Sequence, residues 1–178
     1  DIPVSVDTFR SSVAAAAVEE MGADIINDIS AGDLDPDMFD TVARLEVPYI
    51  AMHMRGTPST MQTLTDYPEK GVAATVAAEL SVKLRRLALM GVADVVVDPG
   101  FGFAKTLEQN YELMDDLGAL ISLLERPVLV GVSRKSMITR ALNITSDRAL
   151  PATTLLNFAA LQQGASILRV HDVAEARQ

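Results

Sequence analysis

The chain has no cysteine and no tryptophan, and aromatic residues make up only 4% of its 178 positions. Without cysteine there is no disulfide framework, no thiolate metal site and no cysteine nucleophile. With so few rings, the core has to be built from aliphatic side chains. Positive charge is scarce too: 15 Lys and Arg stand against 24 Asp and Glu, for a net charge of −9. A general nucleic-acid or membrane-surface binder needs a basic field, so this balance argues against both partners. Small anions are still admissible, because local cations can hold them, and Arg134-Lys135 and Arg169 with His171 form such groups. No apolar run approaches a membrane span and no signal peptide opens the sequence, so a soluble cytoplasmic protein is expected.

What is present is ample apolar residue, 49% of the chain, and a length that fits a single domain over residues 1–178. One unit repeats: a short apolar strand, a polar loop, an amphipathic helix, a glycine, and the next strand. Its helix-to-strand corner recurs as Gly22-Ala-Asp-Ile-Ile, Gly91-Val-Ala-Asp-Val-Val and Gly164-Ala-Ser-Ile-Leu, where glycine suits a left-handed cap. The pattern predicts six strands and five substantial helices. Thr8 is expected to cap the first helix, and a single helix is expected from about 107 to 124. Alternating βα units imply a parallel sheet, either doubly wound or closed as a (β/α)8 barrel.

The most informative stretch is Asp94-Val-Val-Val-Asp98-Pro99-Gly100-Phe101-Gly102-Phe103. Its β-branched run reads as a strand buried on both faces, and Pro-Gly stops it at the moment a carboxylate appears. Ligands bind at the carboxyl ends of parallel strands. Asp98 is thus placed to read a ligand, although alone it also reads as a solvated acid opening a turn. Each strand delivers a polar residue at the same end: Asp7, Asn27, His53, Asp98, Ser133, then Arg169 and His171. The last two, at strand spacing, are expected to share a face. Only a barrel gathers all these ends at one mouth. A closed barrel typically needs about 250 residues, so an incomplete barrel of about six βα units is expected.

Two acids, an amide and cations around one mouth suit a planar heterocycle with an amidine-like edge, which an Asp can meet with two parallel bonds, plus an anionic group. Met52 and Phe103 are candidate apolar walls, with Met52 also readable as plain core. His53 reads equally as core or site.

In chain order, Ser5-Val6-Asp7-Thr8, Ile26-Asn27-Asp28, Met52-His53-Met54 with Gly56-Thr57-Pro58, Asp98-Pro-Gly-Phe-Gly-Phe103-Ala-Lys105, Gly131-Val-Ser-Arg-Lys135-Ser136 and Arg169-Val-His171-Asp172 resemble the dihydropteroate synthase family. The resemblance implies a (β/α)8 barrel. It also implies an enzyme that condenses 6-hydroxymethyl-7,8-dihydropterin pyrophosphate with p-aminobenzoate, giving dihydropteroate and pyrophosphate for folate synthesis. It implies a pterin pocket of Asp7, Asn27, Asp98 and Lys135, lined by Met52 and Ile29. Arg169 and His171 match the pyrophosphate site, and Ser133, Lys135 and Phe103 match positions near the aminobenzoate. Asp7, Asp98 and Lys135 carry the catalytic expectation, while Arg134, Asp28, Asp172 and Lys105 are given no direct role.

The family's first two βα units, with an Asn that helps hold Mg2+, have no counterpart here. Mg2+ is thus the implied cofactor, with no metal ligand expected among these residues. A homodimer is the implied assembly. Two alternatives share the pterin acids: a pterin-binding methyltransferase domain, which has no need of the Arg169/His171 anion site, and a non-catalytic pterin-binding module. A Schiff-base role for Lys135 is a further, minor reading. Ser133 has no His base fixed by spacing.

Overall fold

The computed structural model describes residues 2–68 and 70–178. Strands β1 (Ser5–Asp7), β2 (Ile25–Asp28), β3 (Tyr49–Met52) and β4 (Val95–Asp98) form a parallel sheet in chain order. Strands β5 (Leu129–Val130) and β6 (Ile167–Leu168) pair in parallel, and a parallel bridge between Val97 and Val128 joins them to β4. Spatial order therefore follows chain order from β1 to β6 without reversal. A doubly wound sheet reverses at its switch point, so this is barrel order. Among the described residues, β6 and β1 share no backbone hydrogen bond.

Among the described residues eight α-helices cover the outside: α1 (Ser11–Glu19), α2 (Met38–Leu45), α3 (Val72–Leu89), α4 (Leu107–Asp115), α5 (Leu117–Leu124), α6 (Ser136–Leu142), α7 (Leu150–Gln162) and α8 (Val173–Ala176). The strands are apolar on both faces, as barrel strands must be. Ile26, Tyr49, Ala51 and Val95 pack under α1–α3, while Val97, Val128 and Val130 pack under α3–α5. Ile25, Ile50 and Leu129 face the lumen instead. The glycine corners hold as read: Gly22, Gly91 and Gly164 all have positive φ.

Two sequence expectations give way to long-range partners. The helix expected over 107–124 is two, α4 and α5, because the Gln163 amide intercepts its ladder. Gln163 Nε2 donates to the Met114 carbonyl at 2.5 Å, and its Oε1 accepts the Gly118 N–H at 2.8 Å. Those two groups would otherwise bond each other as i and i+4, so the insertion breaks the helix. Thr8 does not cap α1; Asp35, from the next loop, accepts the Ser11 N–H at 2.7 Å. The seven-residue helix α6 follows a local turn in which the Lys135 N–H donates to Val132 O at 3.1 Å.

Candidate active site

The carboxyl ends of the strands place the polar residues in two adjoining groups. The first lines a cavity of about 250 Å³ that contains Asp7, Asn27 and Arg169 with Ile25, Ile50 and Leu168. Asp7 and Asn27 are register partners on β1 and β2. Asn27 is buried, and its Oδ1 has no hydrogen-bond partner in the structure. A buried orphan acceptor is costly in a native fold, and a donor from a ligand removes that cost. Arg169 reaches across the open side between β6 and β1 and donates to Asp7 Oδ2 at 2.7 Å. Both partners are about half exposed, so this pair contributes little to stability and leaves both groups able to turn to a ligand.

The second group is built around Asp98, at the end of β4 in register with Met52. Both are buried. Asp98 Oδ1 accepts the Gly100 N–H at 2.8 Å, and no other donor among the described residues bonds the carboxylate. Burial pushes this carboxyl above its ordinary range, opposed by Lys135, the Gly100 amide, Lys105 and Arg169. Lys135 donates from Nζ to Phe101 O at 2.6 Å and stands 5.0 Å from the Phe103 ring centroid. Burial lowers the pKa of its ammonium, and Asp98 works against that. Gly131 sits between the two groups: a Cβ there would lie 3.6 Å from Arg169 Cβ and 4.0 Å from Lys135 Nζ.

The other matched residues are distributed as follows. Ile29 lies beside Asp7 and Thr8 in a separate groove. Asp28 is fully engaged, accepting from Ser30, Gly32 and the Tyr49 hydroxyl. Arg134 pairs with Asp172. The expected shared face of Arg169 and His171 is not found, because β6 ends at Leu168 and strand alternation no longer applies. Arg169 turns to Asp7, whereas His171 bonds Ser133 Oγ through its N–H at 3.2 Å and through Nδ1 at 2.9 Å. A His thus does meet Ser133, contrary to the spacing argument. The hydroxyl serves to tie the loop after β5 to the loop after β6.

Sequence reasoning overlooked Arg55, Glu79 and Asn110. Asn110 accepts the Gly102 N–H at 2.6 Å and so shapes the loop after β4. Glu79 accepts from Arg55 Nε at 3.2 Å and meets His53 Nε2 at 2.9 Å. No local pattern marks Glu79, since both of its partners, His53 and Arg55, lie in the loop after β3.

These contacts set a pH response. Burial holds His53 down to about 4 from 6.5. The His53 bond, reinforced by Arg55, holds Glu79 down to about 2 from 4.5. Both folded-state values are depressed, so the unfolded chain binds more protons and stability falls as pH drops through these windows. The melting temperature is expected to decline from pH 6.5 toward 4 through His53, and further toward 2 through Glu79. In His53→Gln the upper part of that decline should vanish. A wild-type melting temperature flat over that upper range would contradict the burial of a neutral imidazole.

Among the described residues, no three His, Asp or Glu side chains group as a metal site. Asp7 is paired with Arg169 and Asp98 is ringed by cations, so this donor set does not fit Mg2+. No helix is long and apolar enough to cross a membrane among those residues.

Parallel strands in chain order with a polar mouth at their carboxyl ends define part of a (β/α)8 barrel of the ligand-binding kind. A family model described as pterin binding enzyme matches residues 1–171. The chain belongs to the pterin binding enzyme family. It is 40% identical over 181 residues to the mitochondrial folate synthesis bifunctional protein of Arabidopsis thaliana, covering 96% of this chain and 32% of that one. It is 40% identical over 179 residues to dihydropteroate synthase of Synechocystis sp., covering 100% of this chain and 61% of that one. Dihydropteroate synthase from Thermus thermophilus, solved in complex with 6HMPPP, superposes with a TM-score of 0.92 at 38% identity, over 99% of this chain and 69% of that one. The same enzyme solved with 4-aminobenzoate also gives 0.92, at 38% identity, over 99% and 67%. The resemblance read from the sequence is upheld by these likenesses.

Proposed function

We propose that this chain carries the pterin and anion sites of a dihydropteroate synthase, which joins 6-hydroxymethyl-7,8-dihydropterin pyrophosphate to p-aminobenzoate. The observation that carries the reading is a pair of under-used buried acceptors at the ends of β2 and β4: Asn27 Oδ1, which has no partner, and the Asp98 carboxylate, which accepts only the Gly100 N–H among the described residues. The amino and ring N–H groups of a pterin edge are donors of the matching kind. The relatives solved with 6HMPPP and with 4-aminobenzoate support the choice of substrates.

In the reaction, the carbon–oxygen bond to pyrophosphate breaks, a carbon–nitrogen bond to the aryl amine forms, and the amine proton leaves to solvent. Asp98 and Asp7 favour the positive charge that develops on the pterin ring as the leaving group departs. Lys135, between the pocket and the Phe103 ring, and Arg169, at the open edge, favour the negative charge on pyrophosphate. Fixed charges of this kind need no covalent nucleophile, and the Ser133 hydroxyl is already occupied by His171. The cations this segment brings toward the leaving group are Lys135 and Arg169.

A homodimer and a cytoplasmic setting belong to the same reading. The dimer is supported by α7, which exposes Leu155 and Phe158 at 70% and 61%. The setting is supported by the acidic, cysteine-free composition.

The test is dihydropteroate formation by the full-length protein from the two substrates; absence of product from folded protein with pterin bound would favour a non-catalytic module. Within that assay Arg169 is separable. Arg169→Ala should weaken pyrophosphate binding by about 1–3 kcal/mol, the usual loss of a charge-assisted bond, while bare 6-hydroxymethylpterin binds nearly as before. Equal weakening of both ligands would mean that Arg169 holds the edges together rather than binding an anion.

A further inference from the structure

The loop Gly100–Phe103, which follows Asp98 at the end of β4, is pinned by a buried lysine to which the proposed reaction gives no part. Lys105 is 3% exposed. Its Nζ donates to Gly100 O at 3.0 Å and to Phe103 O at 3.1 Å, and lies 3.2 Å from His53 Nδ1. An ammonium has three protons, and here are three acceptors. For His53 Nδ1 to accept, the imidazole must carry its proton on Nε2, and Nε2 faces the Glu79 carboxylate at 2.9 Å. Glu79 is held in turn by Arg55, whose guanidinium stacks 4.1 Å over the Tyr67 ring. Tyr67 closes the circuit by donating to Ala104 O at 3.1 Å. The chain of contacts starts near the surface and ends on the backbone of the pocket loop. On the opposite side of that loop, Lys135 bonds Phe101 O.

We propose that Lys105 is a positioning residue for the pterin pocket, and that Glu79, acting through His53, orients its ammonium to hold the Gly100–Phe103 loop. The proposal rests on the pterin reading of Asp98. The device depends on protonation for a geometric reason. A neutral amine has only two protons and a lone pair, so with both protons given to the Gly100 and Phe103 carbonyls it can only accept a hydrogen bond donated by His53 Nδ1–H. That tautomer leaves a bare Nε2 facing the Glu79 carboxylate, two acceptors with no proton between them. Loss of the Lys105 proton therefore undoes the whole chain. The charged groups around Lys105 are Asp98 on β4, Lys135 in the loop after β5, and Arg55 and Glu79 beside His53. Burial brings Lys105 down to about 7, against the pull of Asp98.

Binding of 6-hydroxymethyl-7,8-dihydropterin pyrophosphate to the full-length protein is measured by calorimetry below and above about pH 7. Wild type should bind more weakly above than below. Lys105→Met should lose about tenfold in affinity, as expected when charge-assisted bonds are removed, and should lack the wild-type pH step. Glu79 lies at the end of the chain nearest solvent, so its variants carry the test if Lys105→Met does not fold. Glu79→Ala should weaken binding, and Glu79→Gln, which keeps an acceptor for His53 Nε2–H, should restore it. Nitrogen NMR is simple with only two histidines in the chain, and should place the His53 proton on Nε2. Wild-type affinity and pH step in Lys105→Met, equal affinity in Glu79→Ala and Glu79→Gln, or a proton on Nδ1 would each overturn the proposal. Failure of the pterin reading is distinguishable: folded wild type would then bind no pterin at all, which removes the pocket and this role together.

Discussion

Asp98→Asn is expected to bind pterin more weakly by about 1–3 kcal/mol while folding at least as stably as wild type. The two effects have one origin. Asp98 is buried, and burial raises its pKa above the ordinary value. A folded-state acid with a raised pKa loses stability as pH rises through that range, because the unfolded chain ionises more easily. At neutral pH the charge is therefore a cost to folding, and an amide removes it. The asparagine oxygen can still accept the Gly100 N–H that Asp98 Oδ1 accepts at 2.8 Å. What changes is the other half of the group, which becomes an NH2 donor facing the donors of the pterin edge. Thermal melts and calorimetry on the same preparation check both signs. Unchanged pterin affinity would remove Asp98 from the site, and a large drop in melting temperature would make it a structural acid.

Gly100→Ala should be among the most damaging single changes in the chain, at about 3 kcal/mol. Gly100 has φ +73°, a region in which a non-glycine residue costs roughly 1–2 kcal/mol. An added Cβ would also stand 2.0 Å from the His53 carbonyl oxygen and 3.5 Å from Lys105 Nζ. That oxygen is backbone at the end of β3 and cannot swing away, so overpacking adds roughly another 1–3 kcal/mol. The strain falls on the segment that ties Asp98 to Lys105, so pterin binding should decline with stability. Denaturant unfolding and pterin titration of the variant test this. A loss below about 1 kcal/mol would show that the loop relaxes more freely than close packing allows.

Periodicity and punctuation are local properties, and they carried the architecture. The β-branched runs, the glycines at 22, 91 and 164 and the polar residue after each run need no distant partner to be read. They were enough to order six parallel strands and to put Asp7, Asn27 and Asp98 at one end of them. Tertiary structure decided whatever depends on a partner far along the chain. The amide of Gln163 splits the helix at Asp116, and Asp35 rather than Thr8 caps α1. Arg169 spans 162 positions to reach Asp7, and Ser133 meets His171 from 38 positions away. Lys105 is the clearest instance, because a lysine next to a glycine loop reads as solvated. Only packing reveals that burial strips its water and that His53, 52 positions earlier, together with two carbonyls, replaces it. A side chain's cost of desolvation is set by what surrounds it in space, and sequence spacing holds no record of that.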